Sequence, residues 1–353
     1  MVDKIRNEYV EMVVKSTCKM YTEEDRRKLG MEPTPKEAVY SQGTWTLYRY
    51  CGCEKSDFDP VLVIPSLINR PYIMDLLPGH SLIESLTSAG LDVFLLDWGF
   101  PDPSTGHLGL PHYVGTYIHR ALRQVRKISG SSKVQLMGQC LGGTMAAIYA
   151  SHPEFSKGLS SLALLTTPVN FEDSGLLAQW TANSDFDIVR MTEGVGPVVP
   201  AEFFHSSFPL LDVGKSLGKY RTLLESFEIP KFTGIWQALD IWATDNVPFG
   251  LQAFRDLISL FYQKNLFCRH EFPLQGRLVG HSSISVPTLS VAAAEDHVFT
   301  VSAAEHISES RAALDGKLEY HVIPAGHVTL IAAHPVRSQT FEIFRNFLRA
   351  NRN

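Results

Sequence analysis

A cysteine set between glycines is the first chemistry this sequence offers. Gly138-Gln139-Cys140-Leu141-Gly142-Gly143 follows the strand-like run Val134-Gln135-Leu136-Met137 and precedes a small-residue stretch, Thr144 to Ala150. This is the pattern G-x-S-x-G with cysteine for serine, a nucleophile on a sharp strand-to-helix turn. Such a turn crowds the positions two before and two after the nucleophile, and glycine leaves the room. The N-terminus of the following helix favours negative charge on the thiol. A nucleophile of this kind needs a histidine base and a carboxylate to orient it. They follow in the order nucleophile, acid, histidine, each just past a later strand. Ala294-Glu295-Asp296-His297 follows the run 288–293, and Pro324-Ala325-Gly326-His327 follows the run 320–323. Asp296 and His327 therefore fall where acid and base are expected. Glu295 is the rival to Asp296. His297, the rival to His327, is read as a supporting residue because it neighbours Asp296. For the oxyanion, the sequence predicts the Leu141 N–H and a second N–H from the loop after 61–64, at Ile68 or Asn69.

Cysteine in place of serine changes the energetics. A thiolate that attacks a thioester forms another thioester, so acyl transfer from coenzyme A is close to thermoneutral. The acyl-enzyme stays reactive toward an alcohol, which suits an acyltransferase. A cysteine-dependent thioesterase or esterase is the alternative, because the acceptor is not written in these residues. Neither reading calls for a cofactor or a metal.

The elements that must position this chemistry are legible as alternation. Val61-Leu62-Val63-Ile64, Val93-Phe94-Leu95-Leu96, 134–137 and Leu162-Ala163-Leu164-Leu165 are short, wholly apolar runs, as for strands buried on both faces. Helical spacing lies between them, at 81–89 with Gly90 as a stop and at 112–128. The alternation predicts an α/β class and, with the elbow, an α/β-hydrolase fold: a mostly parallel sheet with helices on both faces. Residues 1–37 read as an N-terminal helical arm, and 38–171 as the first part of the core. Residues 172–285 lose the alternation and carry sixteen scattered aromatics, among them Trp180, Trp236, Trp242, Phe261 and Tyr262. They read as an inserted helical cap whose aromatics are mostly core, with a minority lining an acyl pocket. Residues 286–353 complete the core and end in an amphipathic helix over about 335–350.

Composition excludes several classes. The 353 residues carry a net charge of −5, which gives no basic footprint for nucleic acid. No run of 18 apolar residues predicts a transmembrane segment, and the charged start, Met1 to Glu8, lacks the apolar core of a secretory signal. The expectation is a cytoplasmic protein. The five cysteines are odd in number and sparse, which argues for reduced thiols. Cys51-Gly52-Cys53 lacks a second ligand pair at zinc spacing and reads as two incidental thiols.

Further motifs resemble one family, the polyhydroxyalkanoate synthases. The box Gly138 to Thr144 is similar to that family's G-x-C-x-G-G-T, and Asn69-Arg70-Pro71-Tyr72-Ile73-Met74-Asp75-Leu76 to its N-[KR]-x-Y-I-x-D-L. Asp97-Trp98-Gly99, Trp242-Ala243-Thr244-Asp245 with Pro248, and Phe261-Tyr262-Gln263-Lys264-Asn265 also resemble it, as does Thr34-Pro35-Lys36-Glu37. The likeness runs from about residue 33 to the end and is closest to the short class III/IV synthases that work with a small accessory subunit. It implies a 3-hydroxyacyl-coenzyme A substrate, a polyester product, and a chain carried on Cys140 and activated by His327. Asp296 then orients His327 or deprotonates the incoming 3-hydroxyl. It also implies an accessory subunit or a homodimer, and contact with a polyester granule. Val298-Phe299-Thr300 after the acid, and Val328-Thr329-Leu330 after the histidine, depart from the family's usual sequence.

Overall fold

Six of the eight strands of the main sheet run parallel, and the apolar runs of the sequence are those strands. The computed structural model describes every residue except 1, 19, 51–55, 184, 212, 227–228, 334–335 and 352–353. Cys51 and Cys53 thus lie outside the described residues. The strands are β1 (Lys36–Gln42), β2 (Trp45–Tyr50), β3 (Val61–Ile64), β4 (Val93–Asp97), β5 (Val134–Gln139), β6 (Leu159–Leu165), β7 (Thr288–Ala293) and β8 (Leu318–Ile323). Their order across the sheet is β1-β2-β4-β3-β5-β6-β7-β8. From β4 onward every neighbouring pair is parallel, and the β1–β2 hairpin joins antiparallel at β4.

Alternate residues of the inner strands enter two separate cores. Leu62, Ile64, Phe94, Leu96, Leu136 and Leu164 pack on one face, and Val61, Val63, Val93, Leu95, Met137 and Leu165 on the other. A strand that faces two apolar layers has no polar side to show, which is why these runs carry no period of two. Before the sheet lie helices α1 (Val2–Cys18) and α2 (Glu23–Leu29). Over the faces lie α3 (Leu82–Ser88), α4 (His119–Ser129) and α5 (Leu141–Ser151).

Between β6 and β7 come α6 (Gly175–Thr181), α7 (Ala201–Leu211), α8 (Val213–Ser226), α9 (Pro230–Thr244) and α10 (Leu251–Asp256). Two short hairpin-like pairs, Val198–Val199 with Phe249–Gly250 and Phe272–Leu274 with Arg277–Val279, complete that stretch. The chain closes in α11 (Val336–Ala350).

Two departures from the sequence reading have physical causes. β1 begins at Lys36, inside the stretch read as the arm, and its side chains are mostly exposed, so it carries no apolar run to announce it. The helix read over 112–128 contains a widened π turn, Tyr113–Ile118, ahead of α4. Apolar spacing does not separate one helical pitch from another over six residues.

The N-terminal helices fasten to α9. Met12, Trp236 and Leu223 form a small apolar cluster of their own. The Tyr21 hydroxyl donates to the Asp240 carboxylate at 2.7 Å, and Lys219 Nζ reaches the other oxygen at 2.8 Å.

Candidate active site

The turn between β5 and α5 holds Cys140 in a backbone conformation that side chains rarely adopt, φ 56° and ψ −131°. A Cβ on Gly142 would lie 2.3 Å from the carbonyl oxygens of Ile64 and Pro65, and one on Gly138 2.4 Å from the Gly143 Cα. Both contacts are with backbone, which cannot swing aside, so glycine at each position is a steric requirement. The Cys140 N–H donates to the Leu165 carbonyl at 3.0 Å and ties the turn to β6.

Asp296 and His327 meet beyond the ends of β7 and β8. His327 Nδ1 and Asp296 Oδ2 lie 2.6 Å apart, with both side chains nearly sealed from solvent. Asp296 Oδ1 accepts from the Val298 and Phe299 N–H groups at 2.8 and 3.0 Å. Both carboxylate oxygens are thus occupied. Burial disfavours the charged carboxylate, but the His327 hydrogen bond and charge and the two N–H groups outweigh it, so Asp296 ionises below its ordinary range. Burial likewise disfavours the imidazolium. The charge of Cys140, the Asp296 hydrogen bond and a hydrogen bond with Cys140 together overcome it and raise His327 to about 10. The arrangement is one histidine bonded to a carboxylate and lining the same cavity as the thiol. Glu295 is exposed, and its N–H is spent on the Ala325 carbonyl. His297 is exposed at the rim of the same cavity.

That cavity encloses about 310 Å³. Cys140, Leu141 and His327 form its floor, with Ile68 and Asn69 on one side and Leu177, Trp242, Leu257, Tyr262 and Phe299 as apolar walls. The two sequence-predicted oxyanion elements therefore do come to the sulfur. The Leu141 N–H, at the first turn of α5, has no acceptor among the described residues. The Ile68 N–H makes one long contact, 3.4 Å, to Ser66 Oγ, and Asn69 bridges to Asn246 of the loop after α9.

The motifs away from the elbow are the supports of this loop. Trp98 Nε1 donates to the Pro65 carbonyl at 3.0 Å, and Trp242 Nε1 to the Arg70 carbonyl at 2.8 Å. The Tyr72 hydroxyl donates to Asp245 Oδ2 at 2.9 Å. Segments 69–76 and 242–245, far apart in sequence, are thus one contact in space. Of the aromatics in residues 172–285, Trp242 and Tyr262 reach the cavity, while Phe204, Phe249, Phe254, Phe261 and Phe267 are buried in the core. Gln139, Ser174 and Leu176 also line the cavity and were not singled out from sequence. Gln139 had a signal available, its place inside the elbow box.

The sheet order, the elbow and the histidine after the last strand define an α/β hydrolase. The family model for the alpha/beta hydrolase fold matches residues 59–333. The fold is shared with a thermophilic esterase from Thermogutta terrifontis, at a TM-score of 0.53 and 15% identity over 91% of this chain and 99% of that one. Within that class the sequence is 32% identical over 303 residues to the poly(3-hydroxyalkanoate) polymerase subunit PhaC of Allochromatium vinosum, across 84% of this chain and 82% of that one. It is 30% identical over 302 residues to the subunit of the same name from Haloferax mediterranei, across 85% of this chain and 61% of that longer one. The chain belongs to the poly(3-hydroxyalkanoate) polymerase family.

Proposed function

We propose that this chain is an acyltransferase that polymerises 3-hydroxyacyl-coenzyme A into polyhydroxyalkanoate through an acyl-enzyme on Cys140. The observation that carries the proposal is His327, hydrogen-bonded to Asp296, sharing the floor of a largely apolar cavity with Cys140. Membership of the polymerase family supplies the substrate class.

The Cys140 thiolate attacks the thioester carbonyl carbon. The oxyanion is received by the Leu141 N–H and by the Ile68–Asn69 loop. The carbon–sulfur bond to coenzyme A breaks, and the leaving thiolate takes the proton from His327. An acyl-enzyme and free coenzyme A result. His327, now neutral, accepts the proton of the 3-hydroxyl of the next 3-hydroxyacyl-coenzyme A. That oxygen attacks the Cys140 thioester, an ester forms, and the sulfur leaves as thiolate. The lengthened chain, on coenzyme A, acylates Cys140 again.

Asp296 orients His327 in this scheme and does not itself meet the substrate hydroxyl. Support comes from its two occupied oxygens and its place behind His327, away from the cavity wall. Residues 172–285 act as a cap that brings Trp242 and Tyr262 over the sulfur. The N-terminal helices extend that cap through Tyr21 and Asp240. No helix of the described residues is long and apolar enough to cross a membrane. We place the working enzyme in the cytoplasm, at the polyester granule, with an accessory subunit or a second copy as partner.

The test is incubation with 3-hydroxybutyryl-coenzyme A, with and without a candidate accessory subunit. Free coenzyme A together with insoluble polymer, both lost in Cys140→Ala, is expected. Coenzyme A release with only soluble hydroxy acid would make the chain a thioesterase and overturn the proposal.

A further inference from the structure

One polar group in the cavity has no role in the acyl-transfer scheme above. Tyr262 is 7% exposed, and its hydroxyl has no hydrogen-bond partner among the described residues. The hydroxyl opens onto the cavity, where water or a substrate group is its available partner. The fold goes to some length to put it there. Leu257–Gln263 is a π turn, in which residues five apart come to one face, and Leu257 and Tyr262 both face the cavity. Asn265, just past that turn, is buried with φ 48°, accepts from the Phe171 N–H at 3.1 Å and donates to Asn170 Oδ1 at 2.8 Å. Phe171 in turn packs edge-on to the Tyr262 ring, centroids 5.1 Å apart. The ring is therefore held against Phe171, which Asn265 anchors.

Tyr262 and Cys140 line the same cavity. Burial first, and then Cys140, push Tyr262 far above the ordinary phenol range, so it stays protonated and remains a donor. The thioester oxygen is already served from the core side, by Leu141 and the loop at Ile68. What a cap-side donor meets is an oxygen further along the acyl chain. In the substrate class proposed above, that oxygen is the 3-hydroxyl.

We propose that the Tyr262 hydroxyl donates a hydrogen bond to the 3-hydroxyl oxygen of the bound acyl group and so selects 3-hydroxyacyl over plain acyl thioesters. The bond leaves the hydroxyl proton free for the base. This role rests on the acyltransferase reading of the same cavity. A site built around a substrate hydroxyl discriminates against the analogue that lacks it, because its own donor is then left unmatched.

The experiment compares single-turnover coenzyme A release from 3-hydroxybutyryl- and butyryl-coenzyme A, by the full chain and by Tyr262→Phe. The wild type favours the hydroxylated thioester, and the ratio of the two rates falls about tenfold in Tyr262→Phe. Thermal melting of the free proteins is the second readout. A phenol without a partner predicts a Tm equal to or above that of the wild type in Tyr262→Phe, whereas a structural hydroxyl predicts a lower one. An unchanged rate ratio overturns the proposal, as does a lowered Tm with both rates reduced alike. No coenzyme A release from either thioester by the wild type overturns the acyltransferase reading and this role with it.

Discussion

The cavity has two walls of different build. The core wall, with Cys140, Leu141 and His327, is fixed by backbone: strand ladders, a strained turn and close glycine contacts that admit no side chain. The cap wall, with Leu177, Trp242 and Tyr262, is fixed by side chains: one indole on a carbonyl, one phenol on a carboxylate and a stack of aromatic rings. Backbone contacts cannot relax without moving a strand, while side-chain contacts relax one at a time. The core wall therefore suits bond making, which needs atoms held in place, and the cap wall suits the choice of what enters.

Substitutions separate the two walls by the size of their effect. Cys140→Ala is expected to lower turnover by about 10⁶-fold, since a nucleophile has no understudy; coenzyme A release read by a thiol reagent checks it. Asp296→Asn keeps the shape of the site and is expected to lower kcat by about 10⁴-fold, as in other triads.

The same variant has a sign in pH. His327 ionises near 10 in the folded enzyme, above the ordinary histidine value, partly because Asp296 raises it. Stability gained from the imidazolium is full below that ordinary value and is lost as pH rises through about 10. Asp296 is shifted down, so its contribution holds above the ordinary carboxylate range and is lost as pH falls below it. Asp296→Asn removes the raising partner, and the alkaline limb of kcat/KM moves to lower pH. A limb that stays in place contradicts the pairing.

Gly142→Ala puts a Cβ against the Ile64 and Pro65 carbonyls and is expected to destabilise by at least about 3 kcal/mol; denaturant unfolding measures it. The cap side yields less. Tyr21→Phe removes a hydrogen bond to the Asp240 carboxylate and is expected to cost about 2 kcal/mol of stability. Leu177→Ala opens the pocket wall and is expected to raise KM about tenfold in steady-state assays, with little change in kcat. A cap substitution that matched Cys140→Ala in kcat would erase the distinction between the walls.

The same distinction governs what could be read from sequence. The core strands announce themselves because burial on both faces demands unbroken apolar runs, and β3 and β7 fall on the residues expected. Cys140, Asp296 and His327 were legible because each follows a strand in a fixed order, and the structure brings all three together. The preference for Asp296 over Glu295 was legible only in part; in the structure Asp296 is the carboxylate paired with His327, and Glu295 is exposed. The loop at Ile68 and Asn69 was found by its place after β3, but not its supports. Those come from Trp98 and Trp242, whose contacts link residues about 30 and 170 positions apart. The π turn that presents Tyr262 was hidden for a different reason: its apolar spacing is compatible with any helix, and the extra residue in the turn shows only in three dimensions.

The central claim is the covalent intermediate on Cys140. Full-length protein mixed with 3-hydroxybutyryl-coenzyme A, quenched in acid and digested, allows the peptide that carries Cys140 to be weighed. The account predicts a 3-hydroxybutyryl adduct on that cysteine, formed with one coenzyme A released per site and absent in Cys140→Ala. Coenzyme A released at the wild-type rate with Cys140 unmodified, or with the adduct on another residue, would contradict it.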